Sequence, residues 1–155
     1  MEFRIVALPA ARFAPLFGLP EQELAAQGIR RVVADRQPGF PCRVSLRDAA
    51  PGEPLLLLNY EHLSLPGPYR SRHAIYVREH AGEYLPEVNE IPEVLVRRLL
   101  SVRAFDAAGM MVDADVSEGT DVAPLIGRYL DYARVSFVHL HNARPGCYAA
   151  QAVRP

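Results

Sequence analysis

Apolar and polar residues alternate along most of this chain in short β-type runs, and a single stretch carries a clear helical period. Phe3 to Leu8 is β-branched and aliphatic and is stopped by Pro9, which predicts a first strand. Pro20 to Gly28 predicts a short helix, with proline and acids in its first turn and a glycine to end it. Ile29 to Ala34 predicts a second strand. Cys42 to Leu46 predicts a short extended piece in which Cys42, Val44 and Leu46 share one face and Arg43 and Ser45 the other. Leu55 to His62 is the most apolar run, covered on both faces at its start, with Leu56, Leu58, Tyr60 and His62 on one side. His73 to Arg78 returns antiparallel to it.

Further on, Pro92 to Arg98 fits one or two helical turns. Leu99 to Phe105 and Met110 to Val116 flank Asp106-Ala-Ala-Gly109 as a hairpin. Alternation turns Met110, Val112, Ala114 and Val116 to one side and leaves Asp113 and Asp115 on the solvent side. Val122, Leu125, Ile126, Tyr129, Leu130 and Ala133 recur at helical spacing, with Asp121 placed to cap the helix. The chain closes on two apolar arms, one through His139 and His141 and one from Cys147, around a turn with Pro145-Gly146. Strands in adjacent pairs, rather than strand-helix alternation, predict an α+β fold. The expectation is a single domain over residues 1–155, built on a mainly antiparallel β-sheet with two or three short helices.

Composition narrows the chemistry. With 155 residues, half of them apolar, and a net charge of -1, the chain can bury a core and lacks the charge balance of a nucleic-acid binder. All 17 basic residues are arginine. Without lysine there is no Schiff-base chemistry and no phosphate-binding lysine of a P-loop or kinase. Two cysteines are too few for a secreted disulfide scaffold, the N-terminus lacks the apolar core of a signal peptide, and no apolar run approaches a membrane span. These features lead to the expectation of a cytoplasmic protein with no membrane partner.

Candidate sites follow from residue types that ionise or coordinate. His139 and His141 lie two apart and project to one face of a strand. If 142–146 is the loop, His141 pairs with Cys147 and His139 with Ala149; a slip of one residue brings Tyr148 opposite His141 instead. Histidine and cysteine together suit zinc or a base-activated thiolate. The glutamate that the double-stranded β-helix metal motif wants soon after the second histidine is missing from Asn142-Ala-Arg-Pro, which weakens a metal reading; the expectation is no metal and no cofactor, with a zinc or iron site as a third reading. Cys42 beside Arg43 is a second thiol whose charged form an adjacent cation would favour, and a Cys42–Cys147 disulfide stays open. Tyr60 and His62 at a strand end, with Tyr69, Arg70, Arg72 and His73 beyond the loop, form a polar aromatic cluster suited to an anion.

The stretch Cys42-Arg43-x-Ser45-Leu46-x-Asp48-Ala49 with Gly52-Glu53, the strand ending Tyr60-x-His62, Pro68-Tyr69, and the tail Val138-His-Leu-His-Asn-Ala-x-x-Gly-Cys-Tyr148 together resemble a bacterial family, domain of unknown function 1203. The resemblance implies a small stand-alone single-domain bacterial protein and carries no activity, cofactor or catalytic residue. Cys42, His139, His141 and Cys147 all lie within the stretches that bear it. The resulting expectation is a small-molecule-binding or enzymatic protein. Cys42, His139, His141 and Cys147 would be its catalytic candidates, and Arg43, Tyr60, His62, Tyr69 and Arg72 would bind an anionic small molecule. The rival reading is a non-catalytic interaction module with these residues as core; a homodimer is compatible with either.

Overall fold

The pairing of apolar strands produces two antiparallel sheets, seen in a computed structural model that describes residues 1–155. The strands are β1 (Arg4–Val6), β2 (Arg30–Val33), β3 (Pro54–Leu63), β4 (Ser71–Arg78), β5 (Leu99–Phe105), β6 (Met111–Glu118), β7 (Phe137–Asn142) and β8 (Tyr148–Val153). A five-stranded sheet runs in the order β1-β8-β7-β5-β6, and a three-stranded sheet in the order β2-β3-β4. Three short helices, α1 (Glu21–Ala26), α2 (Glu93–Val96) and α3 (Val122–Asp131), complete the α+β domain. None of them is long and apolar enough to cross a membrane.

Alternation assigns the two faces of the larger sheet. Leu100, Val102 and Ala104 of β5 align with Val138 and Leu140 of β7 and Ala150 and Ala152 of β8. This apolar face packs with Val122, Ile126, Tyr129 and Leu130 of α3 in one cluster. Each fully buried side chain of this size contributes about 1.5–3 kcal/mol. The helix ends at Asp131, so Ala133, counted on its apolar stripe, is exposed beyond it. Asp121 makes no capping bond, because a 3-10 turn over Gly119–Asp121 leads directly into the helix.

The opposite face carries Ser101, Arg103 and Phe105 of β5 beside His141, His139 and Phe137 of β7. Here the smaller sheet lies against the larger. Leu56 and Leu58 of β3 and Ile75 and Val77 of β4 pack in one cluster with Tyr148, and His62 stacks on the Tyr148 ring at 5.5 Å. A register shift between Glu61 and Leu63 marks a bulge at His62.

Two local expectations are corrected. Cys42 to Leu46 is not a strand. Pro41 and Cys42 make isolated bridges to Asp48 and Tyr76, Cys42 N–H bonds Arg47 O, and the chain curls through Leu46 at φ 48°. In β6 the alternation loses its meaning because this is an edge strand: Asp113 and Asp115 are exposed as expected, but Ala114 and Val116 are exposed too.

Candidate functional site

The closing hairpin builds the centre of the site. His141 pairs with Tyr148, Leu140 with Ala150 and His139 with Gln151, so the ladder skips Ala149 as a bulge. Of the two registers open in the sequence, His141 therefore takes the one that faces Tyr148, and Cys147 falls opposite Asn142. The turn is held by Asn142 N–H on Cys147 O at 2.9 Å and Gly146 N–H on Asn142 O at 2.8 Å, with Gly146 at φ 79°.

Across from this turn, the curled segment after Pro41 sends Arg43 into the protein. The side chain is 2 % exposed. Its Nε donates to Tyr148 O at 2.7 Å, Nη1 to Pro41 O, and Nη2 to Cys147 Sγ at 3.0 Å. Asn142 Nδ2 donates to the same sulfur at 3.4 Å. Burial pulls the Arg43 guanidinium below the usual arginine range, and the negative charge that Cys147 and Cys42 can carry opposes that pull. The Cys147 sulfur therefore receives two N–H donors, one of them cationic.

Cys147, Arg43 and Asn142 line a cavity of about 800 Å³ between the hairpin turn, the 36–43 loop, β4 and the start of β5. Its walls also carry Arg36, Arg97, Arg98, Arg144, His73 and a single acid, Glu118. Arg98 is anchored by Asp48, Nη1 to Oδ2 at 2.9 Å with a second bond from Nη2 to Oδ1. Burial would raise the Asp48 carboxyl, but the bonds and charge of Arg98 outweigh it and hold it below the usual carboxylate range. Arg97 pairs with Glu93 and Arg36 with Asp35 near the surface. Arg144 has no carboxylate within ion-pair reach.

Among the residues singled out by sequence, Arg43, His73 and Cys147 line this cavity. Cys42 does not line it. Its thiol is free, as is that of Cys147, so no disulfide joins them. Cys42 Sγ instead accepts the backbone N–H groups of Ser45 at 3.4 Å and Arg78 at 3.3 Å, and its side chain packs in the core with Val44, Leu56 and Ile75.

His62, His139 and His141 gather between the sheets with Tyr148, with ring centroids 4.9–6.1 Å apart. Their outer partners fix the tautomers. Ser71 Oγ donates to Tyr69 O and so accepts from His62 Nε2; Gln151 Oε1 accepts from His139 Nε2; Gly146 O accepts from His141 Nδ1. Nδ1 of His62 and of His139 are buried with no partner. Burial is the main cause of lowered pKa values, to about 4 for His62 and His139 and about 3 for His141, with Arg103 adding to each. Burial also raises the Tyr148 phenol. No group of three or more histidine, cysteine or acidic side chains is arranged to hold a metal ion.

Tyr60 and Arg72 line a smaller hollow of about 460 Å³, where the Arg12 guanidinium lies 4.8 Å from the Tyr60 ring centre. Tyr69 is exposed and packs edge-on against Phe105. The polar aromatic cluster is thus dispersed: His62 lies between the sheets, His73 lines the larger cavity and Arg70 pairs with Glu61.

Sequence reasoning passed over Asn142, Arg98 and Arg144. Asn142 follows directly on the two histidines, and its hydrogen-bonding reach toward a turn cysteine was the available signal. Arg97-Arg98, between α2 and β5, carried no signal until Asp48, 50 positions from Arg98, was brought to it.

The profile of the family described as Protein of unknown function (DUF1203) matches residues 39–154. The chain belongs to that family. The matched span includes Arg43, Asp48, Arg98, Asn142, Arg144 and Cys147, and of the cavity lining it leaves out Arg36. No curated protein and no solved structure matches the chain.

Proposed function

We propose that this chain binds an anionic small molecule in the arginine-lined cavity and that Cys147 reacts with it as a thiolate. The observation that carries this reading is the Cys147 sulfur itself, bonded by the buried Arg43 guanidinium at 3.0 Å on the wall of a cavity with one acid among five arginines. A cavity of this size is in the range that encloses a small molecule, roughly 300–1,000 Å³. Arginine presents forked donors that suit carboxylate or phosphate, and Arg144 is free to make such a contact.

Each side chain then has a defined part. Arg144, with Arg36 and Arg97 at the surface, draws in and orients the anion. Asp48 fixes Arg98 so that the wall keeps its shape. Arg43 and Asn142 hold the sulfur on the wall and stabilise charge on it. The three histidines, neutral and turned to the inter-sheet layer, support Tyr148 and the turn carbonyl of Gly146 and take no part in the reaction.

Alkylation with reagents of different charge tests the reading. The rate at Cys147 with iodoacetate is compared with that for neutral iodoacetamide, and the ratio is referred to free cysteine. Focusing by the arginines should raise the ratio about tenfold or more, and Arg144→Ser should return most of it to the reference. A ratio equal to that of free cysteine in the native chain would overturn the proposal.

A further inference from the structure

The geometry points to a ligand that is itself a thiol. We infer that Cys147 takes up a low-molecular-weight thiol bearing carboxylates and an amide N–H, received as its disulfide and held as a mixed disulfide. This rests on the reading of the cavity as an anion site with a reactive sulfur, and names the class of molecule.

The groups around the sulfur select the reaction. Acyl or phosphoryl transfer to a thiol normally uses a base to take the thiol proton and an acid to protonate the leaving group. The two donors on Cys147 Sγ are a guanidinium and a carboxamide, and neither exchanges protons near neutral pH. His141 donates its Nδ1–H to Gly146 O and faces Tyr148. His73 and Glu118 line the cavity without bonding the sulfur. Thiol–disulfide exchange needs no such acid or base, because its leaving group is a thiolate. The Cys147 thiolate attacks one sulfur of the incoming disulfide. The new S–S bond forms as the old one breaks, and the second thiol departs with the electron pair and takes a proton from water. Cys147 is oxidised and the departing thiol is reduced.

Two further features define the rest of the molecule. Asn142 is 5 % exposed and lines the cavity beside the sulfur, yet its Oδ1 has no donor while its Nδ2 is committed to Cys147. An amide N–H close to the ligand sulfur supplies that donor. Arg144, on the same turn and free of any carboxylate, takes the ligand's own carboxylate. Cys42 is engaged by two backbone N–H groups and lines no part of the cavity, so the adduct has no resolving thiol on the cavity wall. The product is a stable adduct, removed by an external thiol.

The test incubates the reduced full chain with three disulfides: oxidised glutathione, dithiodipropionate (anionic, with no amide) and cystamine (cationic). Adducts are followed by intact mass and mapped by proteolysis, with each rate referred to free cysteine. The expected result is one glutathione per chain, on Cys147. It should form about tenfold faster than the cystamine adduct, as one charge-assisted contact warrants, and faster than the dithiodipropionate adduct. Arg144→Ser should remove the advantage over cystamine. No adduct, an adduct on Cys42, equal rates for glutathione and cystamine, or a dithiodipropionate rate matching that of glutathione would each overturn the inference. If the iodoacetate preference persists in such a case, the anion site stands and the thiol assignment falls; if that preference is absent as well, both fall.

Discussion

Arg43 and Cys147 lie 104 positions apart in the chain and meet as a guanidinium N–H on a sulfur, 3.0 Å apart, in a side chain buried to 2 % exposure. The same guanidinium ties the Pro41 and Tyr148 carbonyls, so one residue joins the curled loop to the closing hairpin. The sulfur of the proposed reaction and the tie between loop and hairpin therefore share one residue.

Removing that coupling has a defined cost. Arg43→Met leaves two buried carbonyls without their donor and should lower unfolding free energy by about 3 kcal/mol. Urea denaturation should show a lower midpoint at unchanged slope. An unchanged midpoint would mean that the guanidinium does not tie the loop to the hairpin.

The histidine layer makes stability fall with acid. The folded pKa values of about 4 for His62 and His139 and about 3 for His141 lie below the unfolded value of 6.5. Between these limits the unfolded chain binds more protons than the folded one, so stability rises with pH. It is complete above the unfolded pKa and is lost as pH falls from there toward the folded values, by an amount on the order of several kcal/mol. His139→Phe should flatten the dependence measured by urea unfolding between neutral pH and pH about 4.5, the window set by those values. A slope of unchanged steepness in that variant would contradict the assignment.

Gly119 is a steric requirement. A Cβ built there would stand 1.9 Å from Leu95 O, and Gly119 N–H bonds Arg98 O at 2.8 Å, beside the cavity wall. Gly119→Ala must push the Leu95–Val96 backbone of α2 aside. A loss of about 2 kcal/mol or more, seen as a drop in melting temperature, is the expected outcome. A melting temperature within the error of the parent chain would refute it.

Much of this architecture was legible in the residue pattern. β5 runs from Leu99 to Phe105 as alternation predicts, and Leu56, Leu58, Tyr60 and His62 do share a side. The helical period of Val122, Ile126, Tyr129 and Leu130 finds its sheet. Other features depend on contacts distant in sequence. Alternation at Cys42 to Leu46 could not reveal that Arg47 O would fold the segment back on Cys42 N–H. Arginine is almost never buried unless paired, and nothing near Arg43 in the sequence announces its partners Tyr148 O and Cys147 Sγ. The hairpin register turned on a bulge at Ala149, which a two-residue period does not encode. That single skip set Asn142, and not His141, opposite Cys147.

The central claim is that Cys147, held by Arg43, is the reactive thiol of this chain and that Cys42 is core. Site-resolved mass spectrometry of the native protein during brief exposure to iodoacetate tests it most directly. The predicted result is labelling of Cys147 at least about tenfold ahead of Cys42, with the difference erased in urea. Equal labelling of the two thiols in the native protein, or faster labelling of Cys42, would contradict it.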